Sequence, residues 1–471
     1  MPSLYLLPLS VFICRKALAF VNDVRAIHRI KLKRSEYEKY GWDVLSEVSV
    51  IGPIVFALAD ADVIKEVTSS SVGRFIKPVE VYERLEIRPP HHLCRGSEME
   101  EIQEACITCI YRAQQQTGIQ RDEVWRDKAT IEFDHCTSLT YKIALLVLGA
   151  AVFGNKASWE IEPGLKPGHR MTFNQALHGM TSDFYLRVVV TAFAMGLTER
   201  LRKAQISYEE LGAHLSETLE EKKNSPDPEG TDLFSIILAN NEDSDDRLTD
   251  AEVKGNIFIF LIAGHETTAH TLAFTFALLS MYPDEQEALY KHITSVLEGR
   301  LVPSYGDLPR LARCTAVLYE TMRVFPPVSY VKSKVCGRGY HLDITNRSGE
   351  KKTIPIPKGS TLTVDAAGLH YKPQYWKDPL AFKPERFLEA YRRDAFIPFS
   401  SGPRAFPGRR FFETEAITVM AMFISRYKVS IKEEPQFSSE TFEQRYERIF
   451  ASKEVLTLTP TRVPLVFTKR V

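Results

Sequence analysis

One stretch of roughly thirty residues limits the architectures open to this chain. Thr249-Asp250-Ala251-Glu252 has the form of a capping box, in which hydroxyl and carboxylate satisfy the orphan N–H groups that begin a helix. Apolar residues then continue through Ile257, Phe260, Leu261 and Leu272 to Met281, and Pro283 restarts a helix at its tolerated first position. A helix this apolar must be buried in protein or lipid. Its middle is polar, reading Gly264-His265-Glu266-Thr267-Thr268, and buried polar groups are costly without partners. That interruption marks a candidate site.

The rest of the chain predicts a mainly α fold with small β-sheets. Val48–Leu58, broken by Gly52-Pro53, reads as strands. Ile102 to about Ala239 has a helical pattern, with breaks at Pro163–Pro167 and Asn224–Gly230. A helix is expected over Leu308–Phe325, ended by Pro326-Pro327, and strand and turn over Pro355–Val364. No internal repeat is visible, which excludes solenoids and propellers.

Four segments follow one another in the second half. They are Ala263-Gly264-His265-Glu266-Thr267-Thr268, then Glu320-Thr321-Met322-Arg323, then Phe382-Lys383-Pro384-Glu385-Arg386-Phe387, then Phe399-Ser400-Ser401-Gly402-Pro403-Arg404-Ala405-Phe406-Pro407-Gly408. This order and spacing resembles the cytochrome P-450 superfamily of haem-thiolate monooxygenases, and most of all its microsomal fungal-type members, from about residue 50 to the C-terminus. The resemblance implies the cytochrome P-450 fold, with residues 31–471 as one domain. It also implies a buried Glu320–Arg323–Arg386 network that clamps a loop onto the core, the first two residues sharing a helix face. Glu266 and Thr267 correspond to the acid–alcohol pair that delivers protons on the distal side of the haem. Gly264 beside them leaves room for a ligand.

The sequence departs from that family at two places. The haem loop of the family reads Phe-x-x-Gly-x-Arg-x-Cys-x-Gly; here Phe399, Gly402, Arg404 and Gly408 match, and Phe406 occupies the cysteine position. The thiolate is the iron's axial ligand, and a phenyl ring has no lone pair to replace it. Arg404 remains as a haem-propionate contact if haem binds. The family's Trp-x-x-x-Arg helix is also absent, because none of Trp42, Trp125, Trp159 and Trp376 has Arg four residues later.

These departures lead to the expectation of a chain that works without haem. A cofactor-sized pocket of roughly 300–1,000 Å³ left empty costs on the order of 7–24 kcal/mol, so it must collapse, hydrate or hold a ligand. The leading expectation is an enzyme on a small lipophilic substrate, an isoprenoid (terpene) cyclase or isomerase. Glu266 would be its general acid and aromatic walls would hold a carbocation. Asp245, Asp246 and Asp250 outline an Asp-Asp-x-x-x-Asp motif and are candidate Mg²⁺ ligands should the substrate be an isoprenyl diphosphate. The alternatives are a haem oxidoreductase with altered iron ligation and a non-catalytic or decayed ligand binder. Without haem, no redox partner is expected.

Composition narrows partners and compartment. Sixty Lys+Arg balance sixty Asp+Glu, which argues against a nucleic-acid binder. Seven cysteines, odd in number and unevenly spaced, point to a reducing compartment. In residues 1–30, the apolar run Leu4–Cys14 is too short to span a bilayer. It reads as a shallow membrane anchor or an ordinary first helix, giving an expected location at the cytoplasmic face of the endoplasmic reticulum or in the cytoplasm.

Overall fold

The computed structural model describes residues 34–47, 54–69, 75–76, 128–154, 164–183, 186, 190, 194–224, 232–242, 248–337, 339–346, 348–402, 405–454 and 457–470. The N-terminal apolar segment and the candidates Asp245, Asp246 and Arg404 lie outside them.

Helices dominate. They are α1 (Ser35–Tyr40), α2 (Ala61–Ser69), α3 (Thr137–Phe153), α4 (Phe173–Ser182), α5 (Glu199–Asn224), α6 (Leu233–Glu242), α7 (Asp250–Met281), α8 (Pro283–Leu297), α9 (Ala312–Val324), α10 (Ala366–His370), α11 (Arg409–Arg426) and α12 (Phe442–Ile449). The strands are β1 (Val44–Glu47), β2 (Val55–Leu58), β3 (Phe75–Ile76), β4 (Thr130–Phe133), β5 (Tyr330–Cys336), β6 (Tyr340–Thr345), β7 (Lys351–Ile356), β8 (Thr361–Asp365), β9 (Tyr427–Ile431), β10 (Ser452–Glu454), β11 (Leu458–Pro460) and β12 (Leu465–Lys469). They form a five-stranded sheet ordered β1-β2-β8-β5-β3, a three-stranded sheet β4-β12-β9, and the hairpins β6-β7 and β10-β11.

Helix α7 begins where its capping box dictates: the Thr249 hydroxyl accepts from the Glu252 N–H, and the Glu252 carboxylate accepts from the Thr249 N–H. Leu272, Phe274, Phe276, Leu278 and Leu279 are buried along its second half, in a core shared with α8, α9, α11, β9 and β12. The helix is long and apolar enough to cross a membrane, yet most of its apolar stretch is covered by protein. It is a core helix.

Two expected elements differ. Leu308–Phe325 is a 3₁₀ turn at Tyr305–Arg310 followed by α9, because Pro309 supplies no N–H and the Asp307 carboxylate accepts from the Ser304 N–H and from Arg300. Strand β4 lies inside the stretch read as helical. Its partner β12 comes from more than three hundred residues away, and that tertiary pairing overrides local preference.

Candidate active site between the long helix and the Phe406 loop

Positioning begins at α9. Glu320 and Arg323 are fully buried and share one face; Arg323 Nε donates to Glu320 Oε2 at 2.7 Å and Nη2 to Oε1 at 2.9 Å. Arg386 Nε reaches the same Oε1 at 3.1 Å, and the Lys383 N–H reaches it at 2.8 Å. Arg323 also donates to the carbonyls of His370, Pro379 and Ala381. The structure thus brings Glu320, Arg323 and Arg386 together as a clamp on the 377–386 loop.

Downstream, that chain forms the loop facing α7. Gly402 has φ +73°, and a Cβ there would meet the Thr68 carbonyl oxygen at 2.6 Å, so the loop sits against the end of α2 only because this residue is glycine. The Ser401 and Thr68 hydroxyls are 2.9 Å apart. The Phe406 N–H bonds to the Phe399 carbonyl at 2.8 Å, and the two rings are near parallel, 6.5 Å apart. Gly408 leaves the space in which the Phe406 ring folds back; a Cβ there would meet Cε1 at 2.8 Å.

Between this loop and α7 lies a cavity of about 60 Å³, walled by Leu148, Phe260, Gly264, Thr267, Phe406 and Phe411 among others. Its lining is almost wholly apolar. Leaving it empty costs only about 1–2 kcal/mol. Gly264, read as room for a ligand, also admits Leu148, whose Cδ1 would lie 3.2 Å from a Cβ at that position.

The acid and alcohol of α7 part company. Thr267 lines the cavity and donates to the Ala263 carbonyl at 2.6 Å. Thr271 and Thr275 repeat that bond to the carbonyls four residues back. Glu266 is buried outside the cavity lining, and burial raises its pKa above the usual glutamate range. His265 is buried beside the Tyr141 ring, and desolvation lowers its pKa to about 3, so it is neutral.

Asp250, the described member of the acidic motif, is exposed and bonded to Lys223 at 2.6 Å. Sequence reasoning missed a different cluster, His169, Glu210 and His214, whose ligand-type atoms lie within 4.8 Å of one another. Both nitrogens of His169 already face carboxylates, Nδ1 to Glu210 at 3.0 Å and Nε2 to Glu217 at 2.8 Å. Arg170 occupies the other Glu210 oxygen at 2.9 Å. The His169 and His214 rings are stacked at 7°, so their in-plane lone pairs do not converge on one ion. The contacts describe an imidazolium between carboxylates, tying the 164–172 segment to α5.

Glu415 on α11 was also not foreseen. Both its oxygens are buried without a partner among the described residues, and desolvation holds its pKa well above the ordinary value. An acid whose folded pKa is raised costs stability at pH above its unfolded pKa and nothing in acid. Glu415→Met, similar in volume and without unsatisfied oxygens, is therefore expected to stabilise by about 1–3 kcal/mol at neutral pH. The gain should shrink as the pH falls from neutrality toward about 4, the unfolded pKa of a glutamate; denaturant titrations at several pH values check both the sign and the trend.

Comparison with known proteins agrees with this frame. The cytochrome P450 family model matches residues 110–451. Cytochrome P450 monooxygenase 124 of Postia placenta is 39% identical over 464 residues, covering 93% of this chain and 88% of that protein. Cyclooctat-9-en-7-ol 5-monooxygenase of Streptomyces melanosporofaciens is 31% identical over 248 residues, 51% of this chain and 52% of that one. Among solved structures, the haem domain of cytochrome P450DA superposes with a TM-score of 0.73 at 18% identity, covering 94% of each chain. The structure of a zebrafish cytochrome P450 with progesterone gives 0.69 at 19% identity, covering 94% of this chain and 99% of that one.

These findings correct the expected function. A haem-independent cyclase or isomerase is overturned by relatives named as monooxygenases and by fold neighbours that are haem domains. Haem is the cofactor the family implies, against the expectation of none, and the Mg²⁺–diphosphate reading of Asp245, Asp246 and Asp250 falls with the cyclase. The reason for expecting no redox partner falls too. The residues present fit haem only in part. Apolar walls on both sides suit a flat macrocycle, but Phe406 offers the iron no ligand and the 60 Å³ space is far below cofactor size. Cys136, Cys314 and Cys336, the described cysteines, are buried in the core clusters, and none of them lines the cavity. With its clamp, its polar-centred core helix and its Phe399–Gly408 loop, and on a family match spanning most of its length, the chain belongs to the cytochrome P450 family.

Proposed function

We propose that this protein is a haem-binding oxidoreductase of the family, a monooxygenase in ancestry, that acts on a small lipophilic substrate with its iron held otherwise than by a loop thiolate. The observation that carries this reading is the opposition of Gly264 and Thr267 on α7 to Phe406 and Pro407 across one apolar cavity. When bound, haem supplies oxidative chemistry. The chain's own part is to exclude water with Leu148, Phe260 and Phe411 and to hold a proton at the Glu266 carboxyl, which burial keeps protonated to higher pH than usual. An electron-donating partner is then required. The cytoplasmic face of the endoplasmic reticulum, reached through the apolar segment of residues 1–30, is the proposed location.

The test is an absorption spectrum with haem and iron quantification on protein produced with haem supplementation. Near-stoichiometric haem with a Soret band unlike that of a thiolate complex is expected. Protein that stays colourless after reconstitution with excess haemin would refute the reading.

A further inference from the structure

The segment that leads into α4 is held against α5 through one histidine. The His169 side chain is only 4% exposed, and its ring nitrogens face two carboxylates of α5. Nδ1 lies 3.0 Å from Glu210 Oε2, and Nε2 lies 2.8 Å from Glu217 Oε1. The Arg170 N–H and Nε also donate to Glu210, at 3.1 and 2.9 Å, and Arg170 Nη2 donates to Glu209 at 3.0 Å. The His214 ring stacks on His169 with centroids 3.8 Å apart, and its Nε2 donates to the Met171 carbonyl at 3.1 Å. Glu210, His214 and Glu217 recur at helical spacing, so they share the face of α5 that meets this segment. Thr172 then caps α4, so these contacts fix where that helix begins.

Counting donors sets the charge. A carboxylate only accepts, and a neutral imidazole has one N–H and one bare nitrogen. Two carboxylates at hydrogen-bond distance therefore require protons on both His169 nitrogens. In agreement, the hydrogen bond to Glu217 raises the His169 pKa against the opposing effect of burial. Desolvation works against the charge on Glu210, but the bonds from Arg170 and His169 outweigh it and hold its pKa at about 2. Burial lowers the His214 pKa, so the stacked ring is the neutral one. On the segment itself the neighbouring charges are Arg170 and Lys166, the latter 3.6 Å from Glu217 Oε2 and 3.7 Å from Glu221 Oε1.

We propose that His169 is a pH-operated latch, which pins the start of α4 to α5 when protonated and frees the 164–172 segment when it loses its second proton. A bare nitrogen then faces a carboxylate with no proton between them, and the two acceptors repel. Glu210 stays in place, buried and bonded to Arg170, whereas the Glu217 side chain is 44% exposed and turns to water. Nε2 is thus the nitrogen that gives up its proton, to solvent, with no covalent bond changed. Because the folded pKa is raised, the stabilisation is full below the unfolded value of about 6.5 and is lost as pH rises through the folded one. Acid opens the latch only where the carboxylates themselves protonate. The latch bears on the cavity wall, since Phe173, Leu177 and Met180 pack in the apolar cluster that contains Leu148 and Val152. A Cβ at Gly179 would collide with the Ser207 hydroxyl, so α4 and α5 meet at close range. The inference rests neither on haem nor on how the iron is held.

The measurement is hydrogen exchange followed by mass spectrometry on the purified protein. Exchange of the imidazole C2–H across a pH series gives the midpoint of His169, expected above the ordinary histidine value. Amide protection is then compared about one pH unit below and about one unit above that midpoint, corrected for the intrinsic effect of pH. Peptides spanning 164–177 are expected to lose protection about fivefold across it, while peptides from α7 and α8 hold theirs. Glu217→Gln keeps the side-chain length and offers an amide that donates to a bare Nε2 or accepts from a protonated one. Its His169 midpoint should fall, and its protection should be nearly equal at the two pH values. A wild-type midpoint at or below the ordinary value overturns the latch. So do equal protection on both sides of the midpoint, a loss shared by α7 and α8, or an undiminished pH response in Glu217→Gln.

Discussion

Glu320→Ala is expected to cost about 3–5 kcal/mol, the range for breaking one side of a buried ion pair. The substitution leaves the Arg323 guanidinium at zero exposure with no carboxylate, only backbone carbonyls to accept its hydrogen bonds and the Tyr371 and Trp376 rings beside it. It also strips the Lys383 N–H and Arg386 of their shared acceptor. Total stability of a domain is about 5–15 kcal/mol, so soluble yield should fall sharply and the urea midpoint should drop. The informative companion is the double variant Glu320→Leu/Arg323→Leu. Removing both charges abolishes the desolvation penalty, so the pair should recover part of the loss while still failing to hold the 377–386 loop. Chemical denaturation of the single and double variants closes the cycle. A Glu320→Ala midpoint within about 0.5 kcal/mol of wild type would mean the clamp is decorative.

Phe406→Cys is the second large effect, and it acts in opposite directions without and with cofactor. Without haem, loss of the ring that stacks on Phe399 enlarges the cavity, and destabilisation of about 1–3 kcal/mol is expected for this half-buried position. With haem, the sulfur occupies the family's ligand position. Ligand at a hundred times its dissociation constant stabilises by about 2.7 kcal/mol, and for a chain of this length that raises Tm by about 3 °C. A carbon monoxide difference spectrum of the reduced protein should then change to the thiolate type. Phe406→Ala separates the two contributions, because it opens the same space with no sulfur. If the Cys and Ala variants give the same spectrum and the same haem content, the loop does not aim its side chain at the iron.

How far the sequence revealed this molecule depends on the reach of each interaction. The start of α7 was legible because a capping box lies within four residues. The Glu320–Arg323 face was legible because a helix repeats at that spacing, and Arg386 only through the resemblance. Strand β4 was not, since its partner is distant in sequence. The hydrogen bonds of His270 to Tyr141 and Thr457 were invisible for the same reason: these partners lie 129 and 187 residues away. The available hint was that Glu266 and His270 are four apart, on one face of an otherwise apolar helix. The separation of Glu266 from Thr267, adjacent in sequence and on different faces, follows from the helical turn itself; the family analogy joined them. Phe406 misled in one direction only. It removes a ligand from the iron, and extending that to the removal of haem chemistry went further than one side chain allows.

Strand β12 sits between β4 and β9 in its sheet, yet it is made about 330 residues after β4. A ribosome adding roughly 5–20 residues each second needs about 15–70 s to cover that span. Throughout, the β4 edge waits on the nascent chain with its pairing groups open. Helices α3 to α11 are complete before the sheet that anchors their far end can zip. The long core helix, apolar enough to be mistaken for a membrane span, waits with them. The order of the strands thus makes this sheet one of the last parts of the fold that can close, independently of what the finished protein binds.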